Sequence, residues 1–231
     1  MKTRPDITLI MPTINALDAH KPALGVLGAA KSRGIGVVVA VDDRTTDGTV
    51  EAFSPLVDRF VPFPNTVPYC EEIMDELVAQ CHTSWIFWLC DDETPSEQLW
   101  KRACTIHRTE QDVILRPTII SPLPGWSGGY VPLRTYQPRI FPNGSIRWPG
   151  GGLDILPLRS LPEQNIPEVL WHFNLWATRE SREKKTAAHE AAWLEAWDHH
   201  PWPASSRKAY LFEDYPNEIE SLGPWKRYLP K

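Results

Sequence analysis

The chain has 231 residues, of which 42% are hydrophobic and 23% are charged, and its formal net charge is -5 at pH 7. These proportions are typical of a globular domain and exclude a largely disordered chain. The acidic balance argues against general nucleic-acid binding, which needs clustered basic charge. No apolar run approaches the roughly 20 residues that a membrane helix requires.

The cysteines and the first residues bear on the compartment. Cysteines stand at positions 70, 81, 90 and 104, without a C-x-x-C pair and without histidines at zinc-binding spacing. We therefore expect buried, reduced thiols. The first residues are too polar for a signal peptide, so we expect a cytoplasmic protein without a transmembrane segment.

The first hundred residues alternate between strand and helix patterns. Runs typical of strands stand at residues 7–11, 37–41, 59–63 and 85–89. Helical patterns stand between them, at residues 18–31, 46–53 and 68–81. The sequence T-P-S-E at residues 94–97 is typical of a capping box and predicts that another helix begins there, with Pro95 in its first turn. This repeated pattern predicts a parallel sheet covered by helices on both faces.

The pattern changes after residue 111. We expect a strand at 112–120, a loop at 122–129, and a β-ribbon formed by 130–141 and 145–148 that turns at Pro142-Asn143-Gly144. Residues 169–176 predict a last strand, and residues 178–197 predict a helix.

Two acidic clusters directly follow two of the apolar strands. Asp42 and Asp43 end one strand, and Asp91 and Asp92 follow another. Open parallel sheets bind ligands at the carboxyl edge of their strands, so these carboxylates should lie close together. A single such acid is often only a helix cap. Two clusters at one edge favour a functional site, because a divalent cation or a hydrogen-bonding ligand relieves the repulsion between carboxylates.

Five sequence segments, taken in their order along the chain, resemble the motifs of a known protein family. They are ITLIMPTIN (residues 7–15), VVVAVDDRTTDGT (37–49), WIFWLCDDETPSEQL (85–99), PRIFPNGSIRWPGG (138–151) and LWHFNLW (170–176). Together they resemble family 2 glycosyltransferases of the GT-A fold. The resemblance implies an α/β, GT-A-like fold: a mostly parallel nucleotide-binding sheet flanked by helices, with a β-ribbon and a C-terminal helical extension.

The resemblance also implies an organisation and an activity. A single domain at 1–231 would comprise a nucleotide-sugar-binding half (1–110), an acceptor and catalytic half (111–177), and a C-terminal helix and tail (178–231). The activity implied is metal-dependent, inverting transfer of a sugar from a UDP- or GDP-linked donor. The cofactor would be Mn²⁺ or Mg²⁺, and the acceptor could be a protein, a glycan, a lipid or a modified base.

Residue roles carry over from the matching motifs. The donor-binding residues would be Pro12, Thr13, Asn15, Asp42, Asp43 and Asp91, with Asp42 and Asp43 at the base and ribose. Asp92 would bind the metal, and His172 would be a second metal or pyrophosphate contact. An inverting transfer also needs a carboxylate base, for which Asp154 is the candidate.

Two positions depart from the family pattern and keep alternatives open. Cys90 stands where the first acid of the D-x-D motif is expected, so Asp91-x-Glu93 could serve as the motif instead, shifted by one residue. Leu153 replaces the histidine that usually precedes the acid at Asp154, which is either a catalytic base or a solvated loop acid. A degenerate module that binds nucleotide or sugar without turnover is therefore the alternative function.

Overall fold

The computed structural model describes most of the first 173 residues and a few positions beyond them. The described residues are 4–17, 22–64, 73–109, 112–122, 129–132, 137–148, 156–158, 160–173, 183, 187 and 220–221. The predicted helix at 178–197 lies outside these residues except for positions 183 and 187, which are helical. No helix in the described part of the chain is long and apolar enough to cross a membrane.

The first half of the chain forms the parallel part of the sheet. Its strands are β1 (Ile7–Thr13), β2 (Gly36–Asp42), β3 (Arg59–Phe63) and β4 (Trp85–Trp88), connected by α1 (Ala23–Ser32), α2 (Thr49–Phe53) and α3 (Met74–Ala79). The strands lie in the order β3-β2-β1-β4, and all three pairings are parallel. Each predicted strand of this half is confirmed to within two residues.

Alternate residues of β2 explain why its sequence is apolar throughout. Val37 and Val39 belong to the core cluster that contains the buried residues of α1. Val38 and Ala40 belong to a second cluster, on the other face, that contains Met74 of α3. Because successive side chains of a strand point to opposite faces, a sheet covered by helices on both faces needs apolar residues at every position.

The second half extends the sheet with mostly antiparallel pairings. Its elements are β5 (Glu93–Pro95), α4 (Glu97–Thr109), β6 (Ile114–Pro122), β7 (Gly129–Pro132), β8 (Ile140–Pro142), β9 (Ile146–Arg147), β10 (Leu156–Pro157), β11 (Glu163–His172) and β12 (Glu220–Ser221). β8 lies between β4 and β6 and is antiparallel to both. β11 pairs in parallel with β6 and antiparallel with β5, so the complete sheet is mixed.

The predicted ribbon is wrong in its pairing, although its turn is present. Gly144 adopts a φ of 73°, and the Ser145 amide donates to the carbonyl of Pro142 at 3.1 Å, so the turn forms where the sequence placed it. β8, however, joins the large sheet beside β4, whereas β9 pairs with β10. The side of β4 away from β1 would otherwise be an unpaired edge inside the core, and β8 satisfies its backbone groups.

The predicted start of α4 is wrong by two residues. Thr94 and Pro95 belong to β5, where Pro95 lies opposite Leu170 of β11. Ser96 caps the helix instead: its Oγ accepts a hydrogen bond from the Leu99 amide at 3.3 Å. The Ser96 amide still donates to a carbonyl of β11, so pairing with a distant strand displaced the local capping pattern.

The thiols agree with the expectation in part. Cys81, Cys90 and Cys104 are reduced thiols, while Cys70 lies outside the described residues. Burial raises the pKa of the Cys81 thiol to about 12, although a hydrogen bond with Thr8 works in the other direction. Cys81 is therefore an inert, protonated core residue at neutral pH.

The amino-terminal edge of the parallel strands carries its own ion pairs. Asp58 accepts hydrogen bonds from Nζ of Lys31 at 2.7 Å and from the Val37 amide at 2.9 Å, and Arg4 lies 3.8 Å away. Burial works against the charge of Asp58, but these partners outweigh it and hold the pKa of the carboxyl below its usual value. This cluster fastens β2 to the end of α1, on the side opposite the acidic strand ends.

Candidate functional site

The carboxyl ends of β1 and β4 are joined by a buried hydrogen bond. Oγ1 of Thr13, the last residue of β1, donates to Oδ2 of Asp91 at 2.9 Å. The Ile14 amide is 3.4 Å from the same oxygen, and both Thr13 and Asp91 are buried. Two residues that the resemblance assigned to the donor are therefore in direct contact, 78 positions apart.

The loop after β1 is bound to the loop after β2. Asn15 has a φ of 43°, in the left-handed region that asparagine tolerates better than most residues. Its Oδ1 accepts a hydrogen bond from the Thr46 amide at 2.9 Å. Nearby, Asp47 accepts the Leu17 amide at 2.8 Å. The strained backbone at Asn15 is thus held by contacts between the two loops.

Asp47 and Thr49 build these loops, although neither was predicted as a site residue. Asp47 Oδ1 also accepts hydrogen bonds from the amide and hydroxyl of Thr49, while the Thr49 hydroxyl accepts the Ala16 amide at 3.0 Å. An acid two residues before a threonine is a common local turn signal, and it could have identified the pair. A cavity of about 250 Å³ beside these contacts is lined by residues 45–46 and 48–51.

Asp42 is buried beneath an arginine that sequence analysis did not single out. Only 2% of Asp42 is exposed. Its carboxylate accepts Nε of Arg44 at 2.8 Å, Nη2 at 2.6 Å and the Arg44 amide at 2.9 Å. The hydrogen bond with Asp42 raises the pKa of the Arg44 guanidinium. A ligand that approaches the end of β2 therefore meets the exposed side chains of Arg44 and Asp43 first.

Asp92 and His172 lie together although 80 positions separate them. Oδ2 of Asp92 is 3.4 Å from Nε2 of His172, and the two side chains are 14% and 21% exposed. The Phe173 amide donates to the Asp92 carbonyl at 2.8 Å, and His172 lies opposite Glu93 in the pairing of β5 with β11. Nδ1 of His172 is buried and has no hydrogen-bond partner among the described residues.

Asp92 and His172 place a carboxylate oxygen and an imidazole nitrogen close enough together to bind the same ion. The described residues contain no group of three or more His, Cys, Asp or Glu side chains that could hold a metal ion. Mg²⁺ is nevertheless often bound by one or two carboxylates together with substrate phosphates and water. The arrangement therefore fits a divalent cation whose other ligands come from a bound nucleotide.

Glu93 has a different environment from its acidic neighbours. It is completely buried, and its Oε1 accepts Nη2 of Arg139 at 2.6 Å. Its Oε2 accepts the Cys90 amide at 2.8 Å. Both carboxylate oxygens are used inside the protein, which argues against the shifted motif Asp91-x-Glu93 as a metal-binding pair.

Arg139 retains its charge despite complete burial. Burial alone would lower the pKa of its guanidinium, but the charge of Glu93, with smaller effects from Cys90 and Asp92, keeps that pKa above its usual value. The guanidinium carbon also lies 4.2 Å from the centre of the Trp88 ring. Arg139 belongs to a segment that the resemblance includes, yet no pattern in the sequence predicts its pairing with Glu93.

The remaining candidates differ in what the structure says of them. Pro12 is buried within β1. Cys90 is partly buried against the second hydrophobic cluster, as expected of a small apolar side chain. Asp154, the candidate base, lies outside the described residues and stays a prediction.

Solved structures show which fold these elements form. The mannosyltransferase PcManGT from Pyrobaculum calidifontis, in complex with GDP-Man and Mn²⁺, matches with a TM-score of 0.53 and 13% identity, over 93% of this chain and 70% of that chain. The chain has a GT-A fold. S. aureus TarS 1-349 matches with a TM-score of 0.51 and 12% identity, over 89% of this chain and 69% of that chain. This confirms the fold expected from the five segments.

Other comparisons mark the limits of the likeness. The longer S. aureus TarS structure also matches with a TM-score of 0.51, and this GT-A chain corresponds to 42% of its length. No protein-family model and no curated protein sequence matches the chain. The fold is therefore shared at an identity too low to carry an activity by itself.

Proposed function

We propose that this GT-A chain transfers a sugar, a hexose or a related unit, from a UDP- or GDP-linked donor to an acceptor, as a family 2-like glycosyltransferase. The observation that carries the proposal is the meeting of Asp91 and Asp92 with Thr13 and His172 at the carboxyl edge of the sheet. Four side chains from three separate segments converge where open α/β sheets bind their ligands.

The donor would lie across the ends of β1, β2 and β4. In this proposal Pro12 and Thr13, at the end of β1, and Asn15, in the loop that follows, line the nucleotide pocket. That loop is fixed against the loop after β2. Asp43 is exposed at the end of β2 and Asp42 lies beneath Arg44. We assign the base and the ribose to this end of the sheet, with Arg44 as an additional contact.

Asp92 and His172 are the proposed cation ligands, and Asp91 is assigned to the donor. The 3.4 Å separation of Asp92 from His172 supports a shared cation, as does the Mn²⁺ in the complex of the similar mannosyltransferase. When bound, the cation would neutralise charge that develops on the departing nucleoside diphosphate. The Thr13 hydroxyl holds the Asp91 carboxylate in its orientation at the end of β1, and we assign that carboxylate to the donor.

Acceptor activation is assigned to a carboxylate. In an inverting transfer, a base removes the proton of the acceptor hydroxyl as that oxygen bonds to the sugar carbon and the nucleoside diphosphate departs. We assign this role to Asp154, which follows the glycine-rich segment at residues 150–152.

The test compares binding and turnover in matched variants. Thermal shift with UDP or GDP and Mn²⁺ should raise the melting temperature of the parent, whereas NAD or ATP should not. Asp92→Asn should abolish this shift while circular dichroism stays unchanged. Asp58→Asn makes the same change at the opposite edge of the sheet and should keep the shift.

Donor hydrolysis then separates an enzyme from a binding module. A parent that binds a nucleoside diphosphate with Mn²⁺ but never hydrolyses any donor sugar would support the degenerate module instead. A clear response to NAD, with none to any nucleoside diphosphate, would refute the assignment of the site.

A further inference from the structure

The turn that carries Asp91 and Asp92 is closed by the residue that follows them. The Glu93 amide donates to the Cys90 carbonyl at 3.2 Å, and the Glu93 carboxylate accepts the Cys90 amide at 2.8 Å. Glu93 therefore spans the turn with both its backbone and its side chain. The two acids enclosed by these contacts are those assigned to the donor and the cation.

Arg139 holds the Glu93 side chain from a second part of the fold. Nη2 of Arg139 is 2.6 Å from Oε1 of Glu93, and the guanidinium lies over the Trp88 ring. The backbone of Arg139 is itself fixed: its carbonyl accepts the Trp88 amide at 2.8 Å, and its amide donates to the Leu115 carbonyl at 3.0 Å. Arg139 is thus a rigid anchor between β4 and β6.

Stability alone is a poor explanation for this pair. Removing two charges from water is costly, and apolar replacements of a buried ion pair are often as stable as the original. Nε and Nη1 of Arg139 are also buried without a hydrogen-bond partner among the described residues, which adds to the cost. A pair whose burial is this costly is better explained by the geometry that it imposes.

We propose that Glu93 and Arg139 are positioning residues, which fix the turn at residues 90–93 so that Asp91 and Asp92 can bind the donor and its cation. Glu93 also lies opposite His172 in the strand pairing, so the same anchor sets the position of the histidine relative to Asp92. The inference rests on the proposed function, which supplies the ligand, whereas the anchoring of the turn is observed directly in the contacts of Glu93.

The test replaces both charges together, so that neither is left buried alone. The site variant is Glu93→Leu with Arg139→Met. The matched control is Glu168→Leu with Arg102→Met, because this second Arg–Glu pair, 2.9 Å apart, joins α4 to β11. Calorimetry measures the affinity for GDP or UDP with Mn²⁺, and nuclear magnetic resonance measures hydrogen exchange of the Cys90 amide.

The site variant should fold, with a melting temperature within about 5 °C of the parent. Its nucleotide affinity should fall by at least about tenfold, since groups that orient metal ligands are typically worth that much, and the Cys90 amide should lose protection. The control should keep both the affinity and the protection. A folded site variant that keeps both would overturn the inference and leave the pair a structural contact.

Glu93→Gln decides the matter if the double variant does not fold. Glutamine keeps an acceptor for the Cys90 amide but leaves the Arg139 charge without its partner. A folded Glu93→Gln should therefore keep the Cys90 amide protected and bind nucleotide more weakly than the parent, and parent-like affinity would overturn the inference. A parent that binds neither nucleotide refutes the proposed function separately. In that case, loss of Cys90 protection in the double variant still supports the anchoring, and retention of it still overturns it.

Discussion

Replacement of Thr13 by valine tests the bond that joins β1 to the acidic turn. Valine has nearly the shape of threonine, so the change removes a hydroxyl donor without opening a cavity. That donor lies 2.9 Å from a buried carboxylate oxygen of Asp91. The Ile14 amide, at 3.4 Å from the same oxygen, is too distant to compensate well.

The expected cost follows from the charge and burial of the acceptor. A hydrogen bond to a charged group contributes about 1.5–3 kcal/mol, so we expect Thr13→Val to lower the free energy of unfolding by about 2 kcal/mol. For a chain of this size that corresponds to a fall in melting temperature of about 4–8 °C. Nucleotide affinity should fall as well, because Asp91 loses the contact that orients it.

Urea denaturation measures the free energy of unfolding, and differential scanning calorimetry measures the melting temperature. Thr13→Ser keeps the hydroxyl and should retain most of the stability. Thr105→Val provides the control: Thr105 is exposed on α4 and bonds to carbonyls of its own helix, so its loss should cost no more than about 0.5 kcal/mol. A Thr13→Val protein as stable as the parent would refute the view that this hydroxyl holds the buried carboxylate.

Three further predictions concern other parts of the chain. The pKa of Asp58 is lower in the folded protein, so its contribution is complete above about pH 4 and is lost as the pH falls through the folded value. Asp58→Asn should therefore cost about 1 kcal/mol at pH 7 and almost nothing in strong acid, and an equal cost at both would contradict this. Arg44→Ala should destabilise by about 1 kcal/mol, and adding Asp42→Asn should recover the loss in urea melts. Cys90→Ser should leave the rate of donor hydrolysis within a few-fold of the parent. Loss of donor hydrolysis in a folded Cys90→Ser protein would reveal a chemical role for the thiol.

The local sequence determined the parallel half of the fold. A buried strand in such a sheet must be apolar on both faces, and the residues at 37–41 meet this requirement without information from elsewhere in the chain. The acids after β2 and β4 were placed at the carboxyl edge for the same reason, since parallel strands end together. Thr13 was assigned to the donor only through the family resemblance, and its bond to Asp91 was not predicted.

Tertiary structure decided what each acid does. Three successive acids follow Cys90 in the sequence, yet Asp91 bonds to β1, Asp92 lies beside a histidine of β11, and Glu93 is paired with Arg139. These partners are separated from the acids by 46 to 80 positions, and no local pattern encodes them. Arg44 is only two residues from Asp42, yet this spacing does not by itself predict that Arg44 covers a buried carboxylate. The burial of Asp42 follows from the packing around the end of β2.

The start of α4 shows the same division in one short segment. Thr94, Pro95, Ser96 and Glu97 match a capping box, and taken alone they begin a helix at Pro95. In the folded protein Thr94 and Pro95 pair with β11 instead, and Ser96 becomes the cap. The sequence determined that a helix begins in this segment, because capping is local. Its first residue was decided by a strand about 70 positions away, because buried backbone groups must find partners wherever the fold supplies them.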